Sequence, residues 1–368
     1  MPRIADQALP VTGGVDTHAD VHVAAAVDQV GRVLGTQAFP ADPAGYRAAL
    51  AWMSARGELA KVGVEGTGSY GAGLARYLAA CGVEVVEVMR PNRQARRRRG
   101  KSDAADAVAA ALAALSGEAS GVPKSRDGAA ESIRALRVAR AGAVKARTQA
   151  GNQLRDLIVT APEQVRRQLA GLPRQRQVDA AARFRLHGLA GPVEGAKAAM
   201  ASVARRHHEL AAEISRLDAA LEELLTRAAP PEFLAKQGAA TQVAATLLAT
   251  TGDNPGRVRT EASFAALCGA SPVDASSGKQ LRHRLNRGGD RQANSALWTI
   301  AMTRLAHDPR TKAYAARRTA EGKTSKEIIR CLKRYIAREI YKTLCRPKPP
   351  ATASAPQVKQ DLPAPVLT

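Results

Sequence analysis

Residues 13–28 read GGVDTHADVHVAAAVD. Valines in apolar alternation mark strand, and Gln29-Val30-Gly31 can turn the chain, so residues 13–38 are expected to form a strand, a turn and a second strand. Working outward, Asp42-Pro43 starts a helix over 43–56 that Gly57 stops. Lys61 to Glu65 reads as a short buried strand. Residues 69–80 repeat helical spacing through Leu74, Tyr77 and Leu78. Glu84 to Val88 is a further strand, and Asp103 to Leu115 a helix. Antiparallel strands followed by strands alternating with helices indicate a mixed α/β sheet.

Glycine, serine and proline in 116–128 mark a linker. From about 130 to 228 the pattern is almost all helix. Met200, Val203, His207, Leu210, Ile214, Leu217, Leu221 and Leu224 alternate spacings of three and four, a heptad seam that favours a coiled coil and hence dimerisation. Ala229-Pro230-Pro231 closes that helix. Residues 236–345 form a second, mostly helical unit, and the proline-rich stretch 346–368 is expected to be disordered.

Lysine and arginine number 55 against 33 acids, a formal net charge of +22 over 368 residues. A surplus of that size implies a polyanionic partner. Nucleic acid fits better than a membrane, because no basic amphipathic helix carries an aromatic insertion face. No apolar run reaches the length of a membrane span. The N-terminal stretch does not read as a signal peptide, so a cytoplasmic location is expected. Cys81, Cys268, Cys331 and Cys345 lack CxxC spacing, so neither a zinc site nor a disulfide framework is expected.

Four acids stand out. Asp16 ends an apolar strand in VDTHAD, Glu65 ends the strand in VGVEG, and Asp103 and Asp106 lie three apart in KSDAADA, on one face of a helix. Each alone reads equally well as a turn residue or a helix cap. Together they can converge on divalent metal, which binds hard oxygen ligands, and a pair of such ions clamps the attacking and leaving oxygens of a phosphodiester. Directly before the paired aspartates runs RPNRQARRRRGK, with Arg93, Arg96, Arg97, Arg98, Arg99 and Lys101 and no acid. Such a run neutralises phosphates.

Residues 271–291 read SPVDASSGKQLRHRLNRGGDR, with Lys279, Arg282, Arg284, Arg287 and Arg291 following Ser276-Ser277-Gly278. From 279 to 348 there are 19 Lys or Arg against 5 Asp or Glu. A serine among arginines can attack a phosphodiester. On chemistry alone the same residues read as a Ser-Gly turn on a nucleic-acid-binding loop. Residues 325–345 form an amphipathic helix, with Ile328, Ile329, Leu332, Tyr335, Ile336, Ile340 and Leu344 on its apolar side. Arg330, Lys333, Arg334, Arg338 and Lys342 are expected to face outward.

In order along the chain stand GVDTHADVHVAAAVD, GVEGTGSYG, EVVEVMRPNRQARRRRGKSDAADA, FAALCGASPVDASSGK and HRLNRGGDRQAN. This succession resembles the IS-one-ten family of bacterial insertion-sequence transposases, the DEDD transposases, over roughly residues 12–345. The resemblance implies an α/β plus α chain in several parts. These are a RuvC-like catalytic domain of the RNase H fold (12–118), a helical coiled-coil dimerisation region (129–228), a C-terminal transposase domain (236–345) and a tail (346–368). It implies that Asp16, Glu65, Asp103 and Asp106 hold Mg2+, with Mn2+ as the alternative ion. It makes Ser277, or less favourably Ser276, the nucleophile of a covalent serine–DNA intermediate. DNA, a non-coding bridge RNA and further copies of the chain, as homodimer or homotetramer, are the implied partners. The competing readings are a RuvC-like nuclease that uses only the acids and a non-catalytic nucleic-acid-binding remnant. Where the family usually has proline–leucine between the paired aspartates, this chain has Ala104-Ala105, which keeps their spacing. Of a glycine-rich hairpin that often opens the C-terminal domain, KQGAATQVAATLLATTG keeps only Gly238.

Overall fold

The computed structural model describes residues 9–88, 102–185, 188, 190–276 and 283–346. The chain divides into two compact units, Met1–Leu221 with Thr251–Arg257, and Glu222–Thr250 with Val258–Thr368.

The first unit opens with three strands where the sequence suggested two: β1 (Pro10–Thr17), β2 (Val21–Asp28) and β3 (Val33–Pro40). The extra reversal falls at residues 18–20, where the His18 N–H donates to the Val21 carbonyl at 3.2 Å. It contains neither glycine nor proline, so the run looks continuous in sequence. The second reversal is fixed by the Asp28 carboxylate, which accepts from the N–H groups of Val30 and Arg32 at 3.0 and 2.8 Å. Desolvation would raise the Asp28 carboxyl, but three hydrogen bonds from Arg32 and Val30 and the charge of Arg32 outweigh it and hold the group below its ordinary range.

Helix α1 (Pro43–Ser54) starts where Asp42 accepts from the Gly45 N–H at 2.7 Å. Strand β4 (Glu58–Glu65), helix α2 (Ala72–Ala80), strand β5 (Glu84–Val88) and helix α3 (Asp103–Ser116) follow. The sheet order is β3-β2-β1-β4-β5. β1 runs antiparallel to β2 and parallel to β4, and β4 is parallel to β5. This is a mixed sheet of the RNase H-like kind, and the rest of the chain is mainly helical.

The two faces of the sheet are built differently. On one, Met53, Leu74 and Leu78 are fully buried with Val15, Val62 and Val64. Each such aliphatic side chain contributes about 1.5–3 kcal/mol. On the other lies α3, whose inward residues are Ala107, Ala110, Ala111 and Ala114. Beneath it stand Gly14 of β1 and Gly63 of β4. A methyl group at Gly14 would strike the backbone of Ala107 and Ala111, and one at Gly63 would lie 2.5 Å from the Ala110 carbonyl oxygen. Small residues on both sides bring helix and strand backbones almost into contact. Ser102 caps α3 by accepting from the Ala105 N–H at 3.2 Å, and Gly117 ends it in the left-handed region at φ 76°.

Helices α4 (Ala129–Thr160), α5 (Glu163–Leu169), α6 (Arg174–Ala182) and α7 (Pro192–Ala228) come next. Arg140 in the first half of α4 bonds Asp218 near the end of α7, at 2.5 and 3.1 Å. Farther along α4, Gln153 accepts from Arg206. The two long helices therefore run antiparallel within the chain. Met200, the first residue of the heptad seam, sits in a core with Leu154, Ile158, Val165, Leu169 and Val178.

The second unit holds α8 (Pro231–Leu234), most of α9 (Thr241–Thr251), α10 (Glu261–Leu267), a two-stranded ribbon β6 (Val273–Asp274) and β7 (His283–Arg284), α11 (Arg291–His307), α12 (Pro309–Ala320) and α13 (Ser325–Leu344). Phe233, Leu247, Phe264, Leu297, Ile336 and Ile340 are buried in it. Helix α13 departs from its expected amphipathic division at two places. Lys333 is only 6% exposed, while Tyr335 is 53% exposed and stands edge-on to Tyr314. A long side chain with a polar tip can lie on the buried side when a partner meets the tip, and Asn294 meets Lys333 at 2.8 Å. Among the described residues, no helix is long and apolar enough to cross a membrane. The tail reading for 346–368 falls, from 347 onward, outside the described residues.

Gly14→Ala is expected to lower stability by about 1–3 kcal/mol, the cost of overpacking against unyielding backbone. Gly142→Ala, in the interior of α4 with open space at its Cβ position, should raise stability by roughly 0.5–1 kcal/mol through helix propensity. Paired denaturant titrations read both signs.

Candidate active site

Gly14 and Gly63 face α3, and side chains two residues on along a strand point the same way. Those residues are Asp16 and Glu65. The parallel register of β1 and β4 pairs Gly14 with Gly63 and Val15 with Val64, which brings both carboxylates to the same end of the sheet. Helix α3 starts over that end, and its first turn carries Asp103 and Asp106. All four acids line one cavity of about 440 Å³, together with Thr17, His18, Tyr70 and the loop residues Gly66, Gly68 and Ser69. Asp16, Glu65 and Asp106 are buried and Asp103 is exposed.

His18 is a member of this group that the sequence reading passed over. Its Nε2 lies 3.2 Å from Asp16 Oδ2 and 3.5 Å from Asp103 Oδ1. Donor atoms of Asp16, His18 and Asp103 all fall within 4.8 Å of one another, close enough to share one metal ion. The signal was local: His18 stands two residues after Asp16, at the reversal that the strand reading missed. The carboxylates supply the hard oxygen donors that a divalent cation of the magnesium type requires, so the donor set fits such an ion.

The wall of the cavity is held from behind. The Thr17 hydroxyl donates to the Glu65 carbonyl at 2.8 Å, and Gly66 turns the chain at φ 71°. Arg126, the one non-glycine residue with positive φ among those described, donates to the Gly68 carbonyl at 3.1 Å and approaches Glu131 at 3.5 Å. The linker after α3 thereby reaches the loop beside the acids, an arrangement without a signature in sequence.

A transposase family model of the DEDD type matches residues 13–161, which include all four acids. A second, described as Transposase IS116/IS110/IS902 family, matches residues 233–316. The chain belongs to the IS110 family of transposases. It is also 32% identical over 100 residues to an insertion element IS110 protein of 43.6 kDa from Streptomyces coelicolor. That match spans 27% of this chain and 24% of the relative, so the chain covers about a quarter of that protein's length.

In the IS110-family chain the second motif block is a small folded frame. Strands β6 and β7 pair Val273 with Arg284 and Asp274 with His283, closing a loop that contains the serines. Ser276 donates its hydroxyl proton to Asp274 at 2.5 Å, and its N–H bonds the same oxygen at 2.9 Å. These bonds hold the Asp274 carboxyl below the usual range. Asn286 donates to the Ser271 hydroxyl at 2.7 Å. Gly289 turns at φ 79° where a Cβ would lie 2.5 Å from the Ala266 carbonyl, and Asp290 caps α11 through the N–H groups of Gln292 and Ala293. Arg284, Arg287 and Arg291 are exposed around this frame. Ser277, Lys279 and Arg282, like Arg93, Arg96, Arg97, Arg98, Arg99 and Lys101, lie outside the described residues.

Gathered carboxylates that bind a cation only when folded should couple metal to stability. Addition of Mg2+ or Mn2+ at about 100 times its dissociation constant adds about 2.7 kcal/mol. A rise in melting temperature is expected for the native chain and none for Asp16→Asn. An equal rise in both would place the bound ion elsewhere.

Proposed function

We propose that this chain is the DNA transposase and recombinase of a bacterial insertion sequence, which cleaves and exchanges strands by combining a divalent-metal acid site with a serine nucleophile. The observation that carries the reading is the convergence of Asp16, Glu65, Asp103 and Asp106, from two strands and a helix, on one cavity. Mg2+ bound there, or Mn2+ in its place, would act as a Lewis acid on phosphate oxygens.

The chain's own residues divide the remaining work. Asp16, Glu65, Asp103 and Asp106 hold the metal, and His18 offers either a further donor or a proton at the Asp16 and Asp103 oxygens. Ser277 attacks phosphorus through Oγ. A serine–phosphorus ester bond forms, the bond to the departing strand breaks, and the serine proton ends on the released oxygen. The number of phosphoester bonds is unchanged, so the reverse attack by a new strand end completes exchange without an external energy source. The engagement of the Ser276 hydroxyl by Asp274 supports Ser277 as the nucleophile, because Ser276 serves the turn that begins the loop. Arg93, Arg96, Arg97, Arg98, Arg99 and Lys101, which precede the paired aspartates in sequence, and Lys279, Arg282, Arg284, Arg287 and Arg291, which follow the serine in sequence, neutralise backbone phosphates.

Domains follow the same division: 12–118 catalytic and RuvC-like, 129–228 helical and for dimerisation, 236–345 bearing the serine, and 346–368 a tail. A dimer or tetramer joins the acids of one subunit with the serine of another. Target choice comes from a bridge RNA. A +22 charge with only 3% aromatic residues suits backbone contact, with sequence read by base pairing.

The deciding experiment uses a labelled DNA carrying the element junction. Denaturing electrophoresis should show a protein–DNA adduct with the native chain and with Ser276→Ala, none with Ser277→Ala, and none with Asp16→Asn. Strand cleavage that persists undiminished in Ser277→Ala would instead indicate a nuclease that needs only the acids.

A further inference from the structure

One wall of a cavity of about 380 Å³ in the second unit is helix α13. The facing wall is the segment 269–272 with β7 and its continuation to Asn286. Arg284, Lys323, Arg330, Lys333, Arg334 and Arg338 line it, against the single carboxylate of Glu327. That carboxylate is already engaged: it accepts from the N–H and hydroxyl of Thr324 at 2.9 and 2.7 Å as the capping box of α13. The six cations therefore share almost no negative charge within the cavity.

Lys333 is buried and Arg334 is half-buried, and each has donors to spare. The Lys333 ammonium has three protons to give, and among the described residues its hydrogen-bond acceptor is Asn294 Oδ1 at 2.8 Å. Asn294 is fixed in that orientation, because its amide donates to the carbonyls of Cys268 and Gly269, both at 2.9 Å. Burial, with the charge of Arg330 added, pulls the Lys333 ammonium below the usual lysine range. Arg334 Nη1 is buried and has no hydrogen-bond partner among the described residues, while its Nη2 is 3.7 Å from Glu261 outside the cavity lining. Buried cations whose donors are unspent are costly unless an anion meets them. A tetrahedral anion with several acceptor oxygens matches converging ammonium and guanidinium donors.

The geometry points to a phosphate-binding site between α13 and β7, in which Lys333, Arg334 and Arg330 hold one backbone phosphate of a DNA strand. The walls 269–272 and 283–286 lie on either side, in sequence, of the segment that carries Ser277. Assignment of this phosphate to the strand attacked by Ser277 rests on the proposed function. The anion site itself does not.

The test uses the full chain, Lys333→Met and Arg334→Gln. Lys333→Met keeps the side-chain length and replaces a buried charge by an apolar group, which cores tolerate or prefer. Inorganic phosphate, compared with chloride at matched ionic strength, should raise the melting temperature of the native chain and of Ser277→Ala, and leave Lys333→Met unmoved. Fluorescence anisotropy with a short single-stranded oligodeoxynucleotide should show about tenfold weaker binding for each cavity variant, the equivalent of about 1.4 kcal/mol. Equal phosphate stabilisation of native chain and Lys333→Met overturns the site, as does unchanged oligonucleotide affinity in both variants. An RNA oligonucleotide that binds through Lys333 while the DNA does not overturns the assignment to DNA. If the serine reading fails, adducts are absent but the phosphate shift persists. If the cavity reading fails, adducts form and the shift is missing.

Discussion

The near-contact of α3 with β1 and β4 is the constraint on which the N-terminal unit depends. Gly14 and Gly63 leave no side chain between the backbones, and the alanines of α3 add little more. Strand periodicity then puts Asp16 and Glu65 on the face that the glycines opened, and the helix so admitted begins with Asp103 and Asp106. Gathering these acids is costly. Two like charges about 4 Å apart repel by roughly 4 kcal/mol at an effective dielectric of 20. The positive end of α3 offsets about 0.3–1 kcal/mol of this for an acid in its first turn. The dipole is therefore too small to offset that repulsion alone. A cluster gathered by close backbone packing is compatible with a divalent cation.

Much of this was legible in the sequence because it lies in local pattern. Asp16 and Glu65 end apolar runs, and the spacing of Asp103 and Asp106 needs only helix geometry. The strands β4 and β5 and the helices α1, α3 and α13 follow local pattern, with starts such as Asp42-Pro43 that announce themselves. What escaped depends on contacts distant in sequence or on turns without marker residues. The reversal at 18–20 is closed by a backbone bond and carries no glycine or proline, so a three-stranded meander read as two strands and His18 went unremarked. The bond from Arg126 to Gly68 joins residues 58 positions apart. The inward turn of Lys333 depends on Asn294, 39 positions away.

The run HRLNRGGDRQAN drew attention through its arginines, yet its uncharged members and its aspartate do the architectural work. Asn286 ties to Ser271, Gly289 occupies a position that a Cβ would block, Asp290 caps α11 and also accepts from Thr250 at 3.0 Å, and Asn294 reaches back to Cys268 and Gly269. Together they anchor α11 against the segment that carries the serine loop. A motif that looks like a nucleic-acid-binding stretch is thus first a frame, and its exposed arginines are attached to something rigid.

Charge counts alone give exposed and buried cations the same weight, and physically they differ. Arg284, Arg287 and Arg291 stand in water, where each phosphate contact is screened by salt and gains little. They suit a grip that slides along any backbone. Lys333 and the inner edge of Arg334 have already lost their water in the folded chain, so an anion that reaches them meets fixed donors in a low-dielectric setting. Such preorganised charge can hold a phosphate in one place, as the proposed exchange of strands at a single phosphorus requires and a diffuse basic surface does not provide.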